Sequence, residues 1–245
     1  MCRIYFFLTA GLAILFAACE GDAPVRQTLP QDTLCASFIA DPIRDSLRLF
    51  WKDPDGHRYG SLGRLRQTLD STGLQLRFAM NGGMYMPDGS PQGLYIESGR
   101  ALVPLDSADG NGNFYLKPNG VFSLSGRGVA KVTQTDSFRL SGNLRSATQS
   151  GPMLLIDGRM HPAFKQGSTN LNFRNGVGIL KDGRVLFAIS KKPVNFYDFA
   201  AWFKARGCSN ALYLDGLVSR AYIPSAGWKQ LDGDFGVIVG VTERK

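Results

Sequence analysis

An α+β fold is what this sequence predicts: a bent, mostly antiparallel sheet system with two helices packed on it, in one domain. Three observations point there. Short apolar runs dominate the chain, and several are joined through Asp-Gly pairs. Only two segments repeat apolar residues at helical spacing. Of the 245 residues, the 227 that follow residue 18 are an ordinary length for one β-rich domain with a full core.

The extended runs are residues 47–51, 74–80, 93–98, 121–124, 153–156, 185–190, 211–214 and 236–241. Asp88-Gly89, Asp157-Gly158, Asp182-Gly183 and Asp215-Gly216 read as two-residue hairpin turns, because both central positions of that turn take positive φ. Residues 61–71 place Leu62, Leu65 and Leu69 on one helical face, with Ser61 as the cap. Residues 195–206 do the same with Phe196, Phe199, Ala200 and Phe203, capped by Asn195 and stopped by Gly207. There is no internal repeat.

The N-terminus reads as an export signal. Arg3 supplies a positive start, and residues 4–16 are apolar apart from Thr9 and Gly11, which is too short for a membrane span. Phe16-Ala17-Ala18-Cys19 resembles a lipobox, so residues 1–18 are expected to be removed and Cys19 to carry a lipid. An ordinary signal peptide, with Cys19 left as a plain thiol, is the alternative. Residues 19–32 then form a polar tether, and residues 33–245 the globular domain. Glu20 after the cysteine, in place of Asp, points to the outer membrane facing the periplasm. The membrane contact expected is through the anchor alone.

Cys35 and Cys208 are the cysteines left in the globular part. In an oxidising compartment a pair invites a disulfide, here closing a loop of about 170 residues and contributing ~4–5 kcal/mol in the chain-entropy view. Two separately buried thiols are the other reading. The formal net charge of +8 is spread along the chain without clusters, so nucleic-acid binding is not expected. A basic surface suits anionic lipids or phosphorylated glycans.

Several chemistries fail on residue supply. The chain has two histidines, His57 and His161, each beside turn residues, and no Gly-x-Ser-x-Gly elbow. Zinc lacks a clustered ligand set. Asp109, Asn111 and Asn113 open like a calcium loop, but Phe114 and Gly120 stand where the loop needs Gly and Glu. No cofactor is expected, and the sequence leaves a divalent cation open.

What remains is polar residues among glycines at strand ends: Asn81-Gly82-Gly83-Met84-Tyr85, Gln149-Ser150-Gly151-Pro152-Met153, Arg174-Asn175-Gly176, and Asp215-Gly216 followed by Ser219-Arg220. Glycine pairs allow close backbone approach to a ligand, while Asn, Gln, Ser and Arg offer hydrogen bonds to hydroxyls and phosphate. In this order, and with Pro118-Asn119-Gly120-Val121-Phe122 and the run from Pro193 to Ala200, these motifs resemble the phosphodiester glycosidase family, and most nearly its bacterial periplasmic branch. The resemblance covers roughly residues 50–240. One departure is Leu217, where the wider family tends to carry a second glycine after the Asp-Gly pair.

The resemblance implies hydrolysis of a sugar-1-phosphodiester, the reaction type of the family's animal member, the lysosomal uncovering enzyme. Such a bond breaks at the anomeric carbon through an oxocarbenium-like state. A phosphate monoester leaves as an anion with little proton donation, so one carboxylate and a phosphate cradle suffice. Asp215 is then the expected nucleophile or general base, Glu97 the reserve acid, Arg174 the phosphate grip and Asn81 a sugar or carboxylate ligand. Gly82, Gly83, Gln149, Ser150, Gly151, Asn175, Ser219 and Arg220 are expected to line the substrate. Competing readings stay open: a hairpin turn for Asp215, a solvent-facing strand residue for Glu97, a surface ion pair for Arg174. A non-catalytic lipoprotein holding a phosphorylated glycan or an envelope partner is the alternative for the whole chain.

Overall fold

The structure, a computed structural model, describes Met1 and residues 32–216 and 218–245. The export segment, Cys19, all of the tether but Asp32, and Leu217 lie outside the described residues. Among the described residues, no helix is long and apolar enough to cross a membrane.

Among the described residues, sixteen strands form three antiparallel sheets. The first runs, in spatial order, β1 (Cys35–Ala40), β12 (Val185–Ser190), β11 (Asn175–Leu180), β13 (Cys208–Asp215), β9 (Met153–Ile156) and β10 (Arg159–Met160). The second runs β15 (Trp228–Lys229), β14 (Ala221–Ile223), β3 (Leu74–Gly83), β16 (Val237–Arg244) and β2 (Ser46–Phe50). The third runs β5 (Arg100–Val103), β4 (Tyr95–Glu97), β8 (Leu144–Ser150), β6 (Gly120–Ser125) and β7 (Ala130–Gln134).

Strand alternation assembles the core. On β12, Val185, Phe187 and Ile189 face the space between the sheets, while Leu186 and Ala188 face outward under a helix. Each sheet sends a phenylalanine to the centre. Phe187 meets Phe78 of β3 with ring centroids 4.9 Å apart and Phe122 of β6 at 5.9 Å, and Phe38 of β1 stacks on Phe78 at 4.7 Å.

Helix α1 (Leu62–Ser71) is capped as expected: Ser61 accepts a hydrogen bond from the Arg64 amide, and Leu62, Leu65 and Leu69 are buried with Phe235 and Ile238. Helix α2 (Phe196–Ala205) is capped by Asn195, which accepts from the Asp198 amide, and Gly207 at φ +78° ends it. Phe199, Ala200, Trp202 and Phe203 cover the outer face of the first sheet. Gly178 on β11 makes room, because a Cβ there would meet Phe203 at 2.8 Å and the Cys208 sulfur at 2.7 Å.

Two expectations are corrected. Cys35 and Cys208 are free, buried thiols. Cys35 pairs with Ser190 at one end of β12, and Cys208 pairs with Leu180 at the far end of β11, with two strands between their own. A bridge cannot span that separation, since bonded cysteines need Cα atoms within ~7 Å. The Asp-Gly turns also divide. Asp157-Gly158 takes positive φ at both positions and joins β9 to β10, and Gly89 and Gly183 take positive φ alone. Asp215 and Gly216 take none. Asp215 ends β13, an interior strand flanked by β11 and β9, and is not a hairpin tip.

Candidate active site

Asp215 sits where the three sheets meet. Its own strand β13 delivers it, β3 delivers Asn81 and β11 delivers Asn175, while Ser150 of β8 donates its hydroxyl to the Leu214 carbonyl at 2.8 Å. Both ladders are irregular here. Asn175 pairs with Asp215 but Gly176 with Tyr213, so Leu214 is an extra residue in the ladder; Ile238 pairs with Asn81 but Val237 with Gly83, so Gly82 is another. Bulges of this kind re-aim side chains at the ends of sheets.

The polar side chains form a directed chain. The Asp215 amide donates to Asn175 Oδ1 (2.8 Å) and the Arg220 amide to Asn81 Oδ1 (3.1 Å). Main-chain N–H groups can only donate, so these two bonds fix which way both side-chain amides point. Asn175 Nδ2 then donates to Asn81 Oδ1, and Asn81 Nδ2 donates to Asp215 Oδ2 at 2.9 Å. The Gly216 amide donates to Oδ1 at 2.6 Å. Position 215 therefore receives donors on both side-chain oxygens, a demand that an acceptor-only carboxylate meets and an amide does not.

Burial pushes the Asp215 carboxyl up to about 6, against the downward pull of the Gly216 and Asn81 hydrogen bonds. Asn81 and Asn175 are fully buried, while Asp215 keeps partial exposure. Tyr85 stands nearby: its phenol is pushed up by burial and by the charges of Asp215 and Asp234, and its hydroxyl donates to the Asp234 carbonyl at 2.8 Å. A half-buried carboxylate whose pKa is raised toward neutrality and which is held by oriented amides is suited to act as a base or nucleophile near neutral pH.

Arg174 does not join this group. Strand alternation turns it to the opposite face from Asn175, under α2. It is fully buried, its guanidinium lies 3.6 Å over the Phe196 ring, Nε donates to the Val194 carbonyl (2.8 Å) and Nη2 to the Asn170 carbonyl (3.0 Å). It holds the segment before β11 and is closed off from a phosphate in solution.

Glu97 is also elsewhere. The ladder places Tyr95 beside Thr148, which sets Glu97 level with Ser146, four residues down β8 from Ser150, or ~13 Å. It accepts from the Tyr95 hydroxyl at 2.7 Å, and burial raises its carboxyl. Among the described residues, no second carboxylate bonds to the Asp215–Asn81–Asn175 chain.

Most of the expected substrate ligands are spent on the protein itself. Gln149 is fully buried; its oxygen accepts from the Leu94 and Asp106 amides, and its nitrogen donates to the Asp106 carbonyl and the Thr135 hydroxyl. That uses its whole capacity. A Cβ on Gly82 would meet the Val239 amide at 2.8 Å, one on Gly83 the Thr148 hydroxyl at 2.5 Å, and one on Gly151 the Phe114 carbonyl at 2.6 Å, so these glycines let strands and loops close on each other. Ser219 donates to the Asp215 carbonyl (3.1 Å) and is buried. Arg220 stays at the rim: its amide is part of the site, and its Nε donates to Asp232 Oδ2 at 2.8 Å.

Sequence reasoning missed Tyr85 and Tyr213. The Tyr213 hydroxyl packs directly beneath Gly216, so a Cβ there would force the phenol to shift. The Met84-Tyr85 step after the glycine pair was the available signal for Tyr85. His161 packs on Phe164 at 4.8 Å with its pKa lowered by burial, and Asp53, Asp55 and His57 gather in a turn in which Asp53 accepts both following amides. A cleft of about 460 Å³ lined by Lys131, Asp157 and Asn210 lies at the far end of β13, five residues from Asp215, or ~17 Å.

Comparison with known proteins places the chain in a family. The uncharacterized protein YigE of Escherichia coli (strain K12) is 38% identical over 222 residues, covering 90% of this chain and 85% of its own. The catalytic domain of zebrafish N-acetylglucosamine-1-phosphodiester alpha-N-acetylglucosaminidase, auto-inhibited by its pro-peptide, shares the fold at a TM-score of 0.61 and 17% identity, covering 89% of this chain and 85% of that one. A protein of Burkholderia pseudomallei matches at a TM-score of 0.59 and 12% identity, covering 84% of this chain and 73% of that one. The family described as phosphodiester glycosidase matches residues 75–235, the stretch that carries Asn81, Asn175 and Asp215, and the chain belongs to that family.

Proposed function

We propose that this protein hydrolyses the bond between a sugar's anomeric carbon and the phosphate of a phosphodiester, in the bacterial envelope, anchored by a lipid on Cys19. One observation carries the reading: a single carboxylate, Asp215, held by Asn81 and the Gly216 amide and raised to about 6 by burial. Water attacks the anomeric carbon, directly or after Asp215 has formed a glycosyl ester. The carbon–oxygen bond to phosphate breaks, and the phosphate monoester takes the bonding pair. A leaving group whose second pKa is ~6 needs no acid partner, which is consistent with Glu97 standing apart. In the direct path Asp215 takes the proton from water; in the covalent path water displaces Asp215 from the anomeric carbon, the ester C–O pair returns to the carboxylate, and the proton passes to solvent.

Purified protein should turn over a chromogenic sugar-1-phosphodiester, and Asp215→Asn should not. Binding without turnover would instead support a lipoprotein that holds a phosphorylated glycan. The anchor is tested separately: Cys19→Ala should free the protein from membranes or block its processing, and full retention with normal maturation would remove the lipid from the account.

A further inference from the structure

Two arginines flank the site, and each is held by an acid from one short loop. Arg220, whose amide caps Asn81, pairs through Nε with Asp232 at 2.8 Å. Arg58 pairs through Nη2 with Asp234 at 2.8 Å, and its Nη1 donates to the Phe235 carbonyl at 3.0 Å. The loop is pinned by Phe235, which is fully buried with α1, and by Tyr85, whose hydroxyl donates to the Asp234 carbonyl. Tyr85 ties the groups together, since its phenol feels Asp215, Asp234 and Arg58 at once. The two acids stand out in solvent, with side chains 64% and 79% exposed, while the arginines are 36% and 32% exposed.

We propose that Arg220 and Arg58 are the phosphate-binding cations of this site, and that Asp232 and Asp234 occupy them as internal stand-ins for the phosphate until substrate arrives. The inference rests on the proposed hydrolysis for its substrate but concerns binding alone. It supplies the cations that the burial of Arg174 removes from the cradle. Exposed arginine–carboxylate pairs are weak and exchange readily, whereas a phosphate presents its oxygens to a guanidinium in the same paired geometry as a carboxylate. Exchange leaves the acids to solvent at little cost and lets them return when product leaves. Ionisable groups near the exchange are Asp215 on β13, Tyr85 after β3, and Asp88, whose carboxyl is held down in part by Arg58.

The test is phosphate affinity without turnover. Inorganic phosphate and a sugar 1-phosphate are titrated by calorimetry at low salt into wild type, Asp232→Asn, Asp234→Asn and Arg220→Ala. Asp182→Asn serves as control: it removes an exposed acid paired with Arg184 in the β11–β12 turn, away from the site. Each site Asn variant should bind phosphate roughly two- to fivefold tighter, the range an exposed ion pair can hold back. Arg220→Ala should weaken it by at least that factor, and the control should match wild type. Arg58→Lys, which keeps charge and bulk beside Gly89, should bind more weakly because the fork is lost. Equal gains in the site and control variants would reduce the effect to net charge and overturn the proposal. Unchanged affinity in Arg220→Ala and Asp232→Asn would overturn it as well. Loss of turnover with these shifts intact would count against the hydrolysis and leave the phosphate site standing.

Discussion

Replacing Asp215 by Asn separates two opposing effects by their dependence on pH. The first is independent of pH. An amide at this position must aim its NH2 either at the Gly216 amide or at Asn81 Nδ2, and Asn81 cannot turn, because its oxygen accepts from Asn175 and from the Arg220 amide. Donor then faces donor, at a cost of about 1–3 kcal/mol. The second effect is the relief of ionisation. The folded carboxyl titrates at about 6 against 3.8 for the free side chain, so the unfolded chain gives up its proton first. The sign follows: wild type has the stability tied to this group below 3.8 and loses it as pH rises through about 6. At 1.36 kcal/mol per pH unit the interval amounts to about 3 kcal/mol, of which about 2 develops between about pH 4.5 and about pH 7.5. The variant has no such loss. Denaturant unfolding of both proteins across that range should show the stability difference moving in favour of Asp215→Asn by about 2 kcal/mol, a shift of ~4–8 °C in relative melting temperature for a domain this size. A difference that stays flat with pH would refute the burial argument and remove the reason for Asp215 to work near neutrality.

Four further outcomes follow. Turnover of a sugar-1-phosphodiester should rise with pH and level off above about 6, as Asp215 gives up its proton; a profile that falls through that region would assign the opposite protonation state. Asn81→Ala removes a donor from the carboxylate, so the Asp215 titration followed by carbon NMR should move upward, and a fixed midpoint would break the link between the two. Gln149→Leu orphans the buried Leu94 amide and the half-buried Asp106 amide and should cost about 2–4 kcal/mol in denaturant unfolding; a change within ~0.5 kcal/mol would return Gln149 to the substrate wall. Cys35 and Cys208 should resist alkylation in the folded state and react on unfolding, and reduction should leave the melting temperature unchanged; a fall on reduction would restore the disulfide.

The architecture was legible where pattern and burial coincide. Residues 153–156 and 185–190 were bounded correctly because their strands are continuous apolar runs, and both helices were legible from Ser61, Asn195 and Gly207. Strand β8 is not, because Arg145, Ser146, Thr148, Gln149 and Ser150 make it polar although most of it is buried; it sits at the junction of the sheets, where Arg145 donates to the Leu47 carbonyl, Gln149 to the Thr135 hydroxyl and Ser150 to the Leu214 carbonyl. The site was half legible. The motifs single out both Asn81 and Asp215, and the two bond directly. Arg174 falls outside the site because a strand alternates faces, so a residue beside Asn175 points away from it. Gln149 and the glycines carry the same letters whether they meet a ligand or pack strands together, and only tertiary contact distinguishes the two.

If Asp215 serves cleavage at the anomeric carbon, hydrolysis of a sugar-1-phosphodiester in water enriched in heavy oxygen will show it, with the products read by mass spectrometry. Cleavage at the anomeric carbon puts the label in the sugar and none in the phosphate, and leaves Asp215→Asn inactive at neutral pH. Label in the phosphate, or turnover undiminished in Asp215→Asn, would contradict it.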